Sequence, residues 1–334
     1  MGERLAPLAL PLAPSWLAVN IVYSDRYQID IGAHVFHVGK YALVRDGLRA
    51  RHLVSPADFV EPGAAEWDEL ALVHSAEYLE KTRTGRFRPS ELALLELPWS
   101  PQVADGFRLM AGGTVMAARL TAAEGARLAR QGPGASPAQP PPLAAAANLG
   151  GGFHHAFPSH GEGFCLYNDV AVAIRVLQRG GTIARAAIVD VDVHQGNGTA
   201  FIFDGDASVF TCSIHQEHNY PHPKPRGSLD VGLADGADDH EYLRALERAL
   251  PAVVASQPDM LFYVAGADPF VEDQLGGLNL TFEGLRGRDS LVFSVAREAR
   301  IPVVIVLAGG YARRVEDTAA IHIATIEEAL RLGA

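Results

Sequence analysis

The sequence predicts a doubly wound α/β fold, in which helices cover both faces of a parallel β-sheet. Short apolar runs alternate along the chain with longer segments of helical periodicity. The apolar runs are continuous rather than alternating, which is typical of strands that are buried on both faces. With 334 residues and 48% hydrophobic composition, the chain can bury a large core. We therefore predict a single domain over residues 1–334.

The predicted elements follow one another in strand-helix order. The strands are the apolar runs at 19–23, 145–149, 186–191, 208–214, 259–264 and 302–307. The helices are the periodic segments at 112–124, 166–178, 240–255, 282–299 and 315–332. Four of the strands are followed by polar or glycine-rich residues. Because the carboxyl ends of parallel strands meet at one edge of a sheet, we expect the functional site at that edge.

A Gly/Pro/Ala-rich tract lies at about 125–147, with the run QGPGASPAQPPP at 131–142. Proline at this density is incompatible with a helix or an interior strand. We therefore predict a flexible surface insertion. A polyproline segment that binds a partner is the alternative.

Composition excludes several classes of protein. The net charge of −11 and the pI of about 5.6 argue against a broad nucleic-acid-binding surface. No apolar run approaches the ~18 residues of a membrane span, and a signal peptide is disfavoured by the prolines near the start. The two cysteines, Cys165 and Cys212, fit a reducing compartment. We predict a cytoplasmic protein, and the scarcity of lysine beside arginine indicates a high-GC bacterial source.

The most informative segment is Ile188–Asn197, where an apolar run delivers acidic and imidazole side chains at every second position: Asp190, Asp192 and His194. Alternate residues of a strand point to the same side, so these groups should leave the strand together at its carboxyl end. Buried carboxylates need a cation or hydrogen-bond donors. The segment therefore predicts a metal site.

Asp268 ends the next apolar strand, in the sequence Gly-Ala-Asp-Pro at 266–269. An aspartate before proline is often only a turn residue. Here it supplies the third ligand that Asp192 and His194 lack. Three protein ligands with an open position are typical of a catalytic metal site rather than a structural one.

Two further motifs follow predicted strands. The run NLGGGFHH at 148–155 places adjacent histidines, His154 and His155, behind a glycine triplet. Tyr311 follows a glycine pair just beyond the last strand, where its hydroxyl could donate a hydrogen bond to an oxyanion. Both motifs would lie at the edge that carries the predicted metal site.

Together these motifs resemble the zinc-dependent histone deacetylase superfamily, which also includes acetylpolyamine amidohydrolases and, more distantly, arginases. The resemblance runs from about Val19 to the C-terminus. Its motifs are GGGFHH at 150–155, GFCLYND at 163–169, DVDVHQGN at 190–197, DQLGGLNLT at 273–281 and GGY at 309–311. Residues 21–27, the glycine pair at 276–277 and Tyr220 favour the class IV deacetylases.

The resemblance implies a role for each matching residue. Asp192, His194 and Asp268 would bind zinc, with ferrous iron as the alternative metal. The catalytic group would comprise the base His155, the second histidine His154 with its partner Asp190, Asn197 orienting the base, and Tyr311 polarising the substrate carbonyl. Substrate would be contacted by Gly152, Gly163, Phe164, Tyr220 and Leu275. A potassium site near Asp190, Asp192, His194 and Ser213 is also implied.

The predicted function is therefore deacylation of Nε-acyl-lysine by a metal-dependent amidohydrolase. Class I and II enzymes often carry an acidic residue on a rim loop, and no acid occurs around 97–101. An amidohydrolase of acetylpolyamines or other small acyl-amines is one alternative, for which Glu217, Glu272 and Asp273 could supply an acidic rim. A catalytically inactive binding scaffold is the alternative from another class.

Overall fold

The structure is a computed structural model that describes residues 19–131 and 142–333. Its strands are β1 (Val19–Val22), β2 (Phe59–Val60), β3 (Ala145–Asn148), β4 (Ala186–Asp190), β5 (Val209–Gln216), β6 (Leu229–Leu233), β7 (Met260–Val264) and β8 (Val303–Val306). All pair in parallel in one sheet, with the order β2-β1-β3-β8-β7-β4-β5-β6. All six predicted strands are present.

The helices are α1 (Lys40–Ala50), α2 (Trp67–Leu70), α3 (Ala76–Thr84), α4 (Pro89–Leu95), α5 (Pro101–Gln131), α6 (Asp169–Arg179), α7 (Asn197–Ile202), α8 (Asp239–Ala255), α9 (Phe282–Glu298) and α10 (Val315–Gly333). The helices form two packed groups. In one group, α5 packs on α6 and also on β3. In the other group, α9 packs on both α8 and α10, and α10 also packs on α1. Every residue of β3, β4, β7 and β8 is buried, so helices cover both faces of the central sheet. The predicted doubly wound parallel sheet is confirmed.

The sequence prediction missed several elements of the structure. The edge strand β6 alternates between partly buried and exposed residues and contains Gly232, and β2 is two residues long. Helices α1 to α4 and α7 were also not predicted. Strand β2 and helices α2, α4 and α7 have only two, four, seven and six residues, so apolar periodicity covers too little of the chain to indicate them. Helices α1 and α3 have 11 and nine residues and were missed although they are long enough to show such a pattern.

The boundaries of the predicted insertion at 125–147 were too wide. Helix α5 continues to Gln131, so residues 125–131 belong to a helix that is much longer than the predicted segment at 112–124. Residues 145–147 belong to β3. Residues 132–141, which hold most of the proline-rich run, lie outside the described residues.

The sheet order brings the site segments together. The four central strands are β3, β8, β7 and β4, and they are far apart in sequence. The chain segments that follow their carboxyl ends are 149–155, 307–311, 265–268 and 191–197. These are the segments in which the sequence predicts functional residues. No helix within the described residues is long and apolar enough to cross a membrane.

Candidate metal and catalytic site

The segment after β4 brings Asp192 and His194 into the site by a route that differs from the predicted one. β4 ends at Asp190, so the alternation of a strand does not extend to positions 192 and 194. Instead, each aspartate accepts a hydrogen bond from the backbone two residues later. The Asp192 amide donates to Asp190 Oδ1 (3.2 Å), and the His194 amide donates to Asp192 Oδ1 (3.0 Å). These local bonds are typical of Asx turns, and they fold the side chains toward one point.

Asp192, His194 and Asp268 are buried and their potential ligand atoms all lie within 4.8 Å of one another. His194 Nδ1 lies 3.2 Å from Asp192 Oδ1 and 3.5 Å from Asp268 Oδ2. The three side chains that the sequence assigned as metal ligands therefore converge, although Asp268 comes from a different strand end.

Backbone amides hold the two carboxylates in place. The Gly309 amide donates to Asp192 Oδ2 (3.0 Å), and the Val193 amide donates to Asp268 Oδ1 (2.9 Å). The other oxygen of Asp268 is buried and has no hydrogen-bond partner among the described residues. A Cβ atom at Gly309 would lie 2.1 Å from that oxygen, so only glycine allows the loop to approach it.

This donor set fits a divalent metal ion. Burial and repulsion from the neighbouring Asp192 carboxylate raise the pKa of Asp268 to about 7. A divalent cation held between the two carboxylates would offset this repulsion. Two carboxylates and an imidazole are ligands that zinc and ferrous iron accept. The unpartnered Asp268 oxygen supplies a free lone pair toward the centre of the cluster.

The two adjacent histidines have different partners. His154 Nδ1 lies 2.6 Å from Asp190 Oδ2, and its Nε2 lies 3.7 Å from Asp192 Oδ1. Burial alone would lower the pKa of His154, but Asp190 and Asp192 raise it to about 9. His154 is therefore expected to be positively charged at neutral pH.

His155 has a neutral partner instead. Its Nδ1 lies 2.7 Å from Asn197 Oδ1. Burial, with the neighbouring His154 and His194, lowers the pKa of His155 well below its usual value. His155 is therefore expected to be neutral, which leaves a ring nitrogen able to accept a proton.

Tyr311 lines the same cavities as His155. The backbone amide of Tyr311 donates to Asp273 Oδ2 (2.6 Å), which fixes the turn that follows β8. Burial raises the pKa of the Tyr311 hydroxyl well above its usual value, so this group stays protonated and can donate a hydrogen bond. The Tyr311 ring lies 5.8 Å from the ring of Phe164.

Two cavities that share several lining residues lie at the cluster. An inner pocket of about 20 Å³ includes Gly152, Asp192 and His194 in its lining. An outer cavity of about 230 Å³ is lined by Glu96, His155, Gly163, Phe164, His194, Asn219, Tyr220, Leu275 and Tyr311. The five predicted substrate-contacting residues therefore all line these two cavities.

The structure changes the assignment of acidic residues near the opening. The sequence prediction found no acid around 97–101, but Glu96, the preceding residue, lines the outer cavity. Asp273 is buried and accepts hydrogen bonds from backbone amides, so it is not available to a substrate. Glu217 and Glu272 are exposed and do not line this cavity.

Sequence reasoning also missed Lys40 and Glu162. Lys40 begins α1 and is fully buried, and its ammonium donates to the Ala308 carbonyl (2.7 Å). Glu162 accepts a hydrogen bond from Asn197 Nδ2 (2.6 Å). Neither residue lies in a segment whose local pattern indicates a contact with the site. Only the glutamate's position next to the GFCLYND motif could have drawn attention to it.

Comparisons with known proteins bear on the family and the fold of this chain. Residues 34–326 match the histone deacetylase domain family. The chain is 38% identical over 299 residues to an uncharacterized protein of Picosynechococcus sp., covering 89% of this chain and 93% of that protein. It is 30% identical over 329 residues to histone deacetylase 2 of Arabidopsis thaliana, covering 94% of this chain and 79% of that protein.

A crystal structure of the HDA15 HD domain has the same fold. It matches with a TM-score of 0.74 and 22% sequence identity, and the match covers 94% of this chain and 88% of that one. At this level of identity the likeness concerns the fold alone.

Proposed function

This chain belongs to the histone deacetylase family, and we propose that it is a metal-dependent amidohydrolase that removes acyl groups from Nε-acyl-lysine. One observation carries the proposal. The cluster of Asp192, His194 and Asp268 lies at the end of a cavity that also exposes His155 and Tyr311. Metal ligands, a neutral base and a hydroxyl donor around one cavity are the groups that amide hydrolysis requires.

Asp192, His194 and Asp268 would hold the metal. When bound, it would supply Lewis-acid activation of the amide carbonyl and of the attacking water. We favour zinc, because a site of three protein ligands with mixed oxygen and nitrogen donors is typical of catalytic zinc. Ferrous iron is the alternative.

His155 would move the proton. As a neutral imidazole it can accept a proton from the attacking water and later return it to the leaving amine. Asn197 holds Nδ1 of this ring, so Nε2 would be the nitrogen that accepts the proton. The return of the proton is needed because an amine leaves poorly as an anion.

His154 and Tyr311 would stabilise negative charge. His154 is held by Asp190, whose carboxylate favours the charged imidazolium form of this ring. The Tyr311 hydroxyl would donate a hydrogen bond to the carbonyl oxygen as negative charge develops on that atom.

The outer cavity supports the proposed acyl-lysine substrate class. Phe164, Tyr220 and Leu275 line it and would contact the apolar stem of an acyl-lysine, leaving the amide at the inner end. Residues 21–27, 276–277 and Tyr220 favour a class IV-like enzyme. A structural potassium ion would lie near Asp190 and Ser213, which are paired neighbours on β4 and β5.

A small acyl-amine is the second candidate substrate. Glu96 is exposed and lines the outer cavity, where its carboxylate could pair with a second ammonium group of an acetylpolyamine. An acyl-lysine in a peptide has no such charge in its own side chain. The variant E96Q would therefore raise KM for an acetylpolyamine and leave KM for an acyl-lysine peptide nearly unchanged.

A substrate panel with a chelator tests the proposal. The zinc-loaded protein is assayed against acetyl-lysine peptides, long-chain acyl-lysine peptides and acetylpolyamines. We expect turnover of acyl-lysine peptides, loss of turnover after chelation, and recovery on addition of zinc or ferrous iron. Exclusive turnover of acetylpolyamines would favour the second candidate. Turnover that is indifferent to chelators would contradict the metal, and no turnover of any compound would favour an inactive scaffold.

A further inference from the structure

We propose that Glu162 is a positioning residue that selects the proton-accepting tautomer of His155 by fixing the orientation of the Asn197 amide. The inference rests on the proposed function, because it concerns the base of that reaction. The contacts that support it form a short chain of hydrogen bonds from Glu162 through Asn197 to His155.

A tight hairpin places Glu162 beside the site. The Glu162 amide donates to the Cys165 carbonyl (3.1 Å), and the Cys165 amide donates to the Glu162 carbonyl (2.9 Å). The two central residues, Gly163 and Phe164, have φ values of 52° and 65°, as in the primed turns of hairpins. Their amides donate to the carbonyls of Leu94 and Leu95 at the end of α4. The turn therefore places Phe164 at the cavity and Glu162 at the Asn197 amide that bonds to His155.

One oxygen of Glu162 accepts two short hydrogen bonds. Asn197 Nδ2 donates to Glu162 Oε1 over 2.6 Å, and the Tyr220 hydroxyl donates to the same oxygen over 2.5 Å. The other oxygen lies 3.4 Å from His160 Nε2. The side chain of Glu162 is 12% exposed. Although burial would raise the pKa of Glu162, the hydrogen bonds from His160, Tyr220 and Asn197 lower it, so the carboxylate is ionised.

An ionised carboxylate can only accept hydrogen bonds. It therefore requires the NH₂ end of the Asn197 amide, and this places the oxygen end toward His155 Nδ1. The Gly198 amide also donates to Asn197 Oδ1 (3.0 Å), but this is a bond between neutral groups. The charge-assisted bond to Glu162 is the stronger constraint on the amide.

The orientation of the amide determines the tautomer of His155. Because Asn197 Oδ1 accepts, His155 Nδ1 must carry the hydrogen in the neutral ring, and Nε2 keeps its lone pair. If the amide turned over, its NH₂ group would face Nδ1 and stabilise the opposite tautomer. His155 Nε2 would then carry a hydrogen and could not accept a proton. Glu162 thus acts on the base without contacting the substrate itself.

The same carboxylate couples the base to the cavity wall. Tyr220 lines the outer cavity, and its ring lies 4.9 Å from the ring of His155. Its hydroxyl bonds to the oxygen that holds Asn197. A shift of Glu162 would therefore disturb both the wall that contacts the acyl chain and the group that orients the base.

A charge exchange between positions 162 and 197 tests the inference. In E162Q, the new amide can donate or accept, so Asn197 loses its single preferred orientation. In N197D, two carboxylates would face each other across the 2.6 Å contact. In the double variant E162Q/N197D, the glutamine NH₂ can donate to the aspartate, whose other oxygen can accept from His155 Nδ1. The hydrogen-bond pattern around the base is then restored.

We expect each single variant to lower kcat by about 10-fold or more, and the double variant to recover to within a few-fold of the wild type. KM should change less than kcat. The exposed residue Glu247 on α8 provides the matched control, and E247Q should keep wild-type kcat. Losses that multiply in the double variant would overturn the inference. Metal content and Tm are measured for every variant, because a merely structural defect would not be reversed by the exchange.

The tautomer itself can be observed without turnover. In the ¹⁵N NMR spectrum of the metal-free protein, the His155 ring should carry its hydrogen on Nδ1 in the wild type. In E162L, which has no acceptor, a substantial fraction should carry it on Nε2. An Nε2–H tautomer in the wild type, or an unchanged Nδ1–H tautomer in E162L, would overturn the inference. Because this measurement needs no substrate, it remains informative even if no compound of the panel is hydrolysed.

Discussion

At the scale of single residues, the turn after β8 depends on one buried cation. Ala308 has a φ of 53°, in the left-handed region that residues with a Cβ rarely adopt. The buried ammonium of Lys40 donates to the carbonyl of this residue and lies 5.7 Å from the centre of the Tyr311 ring. Burial lowers the pKa of Lys40 to about 8, so the amine is still mostly charged at neutral pH. The contact holds the backbone that leads to Tyr311.

The hydroxyl of Tyr311 is the group whose loss should be most specific. Y311F keeps the ring and the backbone bond to Asp273 but removes the donor to the developing oxyanion. We expect kcat to fall by roughly 10²-fold or more with unchanged metal content. Steady-state kinetics and metal analysis on the same preparation measure both quantities.

Y23F provides the control for this change. The Tyr23 hydroxyl bonds to Asp25 and does not line either cavity of the site, so its removal should leave kcat unchanged. Wild-type turnover in Y311F would remove Tyr311 from the proposed mechanism.

At the scale of elements, a buried histidine joins the start of α6 to the segments that support the site. His74 precedes α3, and its Nε2 accepts a hydrogen bond from the backbone amide of Asn168, the N-cap of α6 (3.0 Å). Its Nδ1 donates to the Phe157 carbonyl (3.0 Å). Only the neutral ring can make both bonds, because protonation would place a hydrogen against the Asn168 amide.

This arrangement predicts a loss of stability in mild acid. Burial lowers the pKa of His74 to about 4, against about 6.5 in an unfolded chain. Between these values the unfolded chain binds more protons than the folded one, so the free energy of unfolding falls as the pH is lowered from 6.5 to 4. The full effect of this one group is about 3 kcal/mol. Urea denaturation at pH 7, 5.5 and 4.5 measures it.

Two variants isolate the contribution of His74. H74Q removes the titrating group and should show a smaller fall in stability over this pH range than the wild type. H240Q changes an exposed histidine on α8 and should keep the wild-type slope. Equal slopes in the wild type and H74Q would mean that His74 does not titrate as its contacts indicate.

At the scale of the whole molecule, the metal cluster joins distant parts of the chain. Asp192 and His194 follow β4, Asp268 follows β7, and the Gly309 amide that holds Asp192 follows β8. A metal that binds only the folded arrangement stabilises it by mass action, by about 2.7 kcal/mol when its free concentration is 100 times Kd.

Metal loading should therefore raise Tm by several degrees, and chelation should reverse the rise. D268A should bind the metal far more weakly and lose most of this dependence, because it removes the ligand oxygen that has no other partner among the described residues. Differential scanning calorimetry with and without zinc measures the shift. A metal-induced rise in D268A equal to that of the wild type would show that Asp268 is not a ligand.

The sequence alone determined the fold class and the segments that form the site. Continuous apolar runs identify buried parallel strands, since burial on both faces leaves no position for polar residues. Motifs such as DVDVHQGN at 190–197 are also local, because their turns and bends are made within a few residues. The continuous apolar runs also predicted six strands with boundaries close to those of the structure.

Only the tertiary structure decided which distant residues meet. The sheet order places β8 and β7 between β3 and β4, and this brings the ends of all four strands to one site. The contacts of Lys40 with Ala308 and of Glu162 with Asn197 join residues that are 268 and 35 positions apart. Local periodicity carries no information on such pairs, because they depend on how helices and loops pack over the sheet. The strand that ends at Asp190 was thus predicted from the sequence, whereas the contacts made by Lys40 and Glu162 were not.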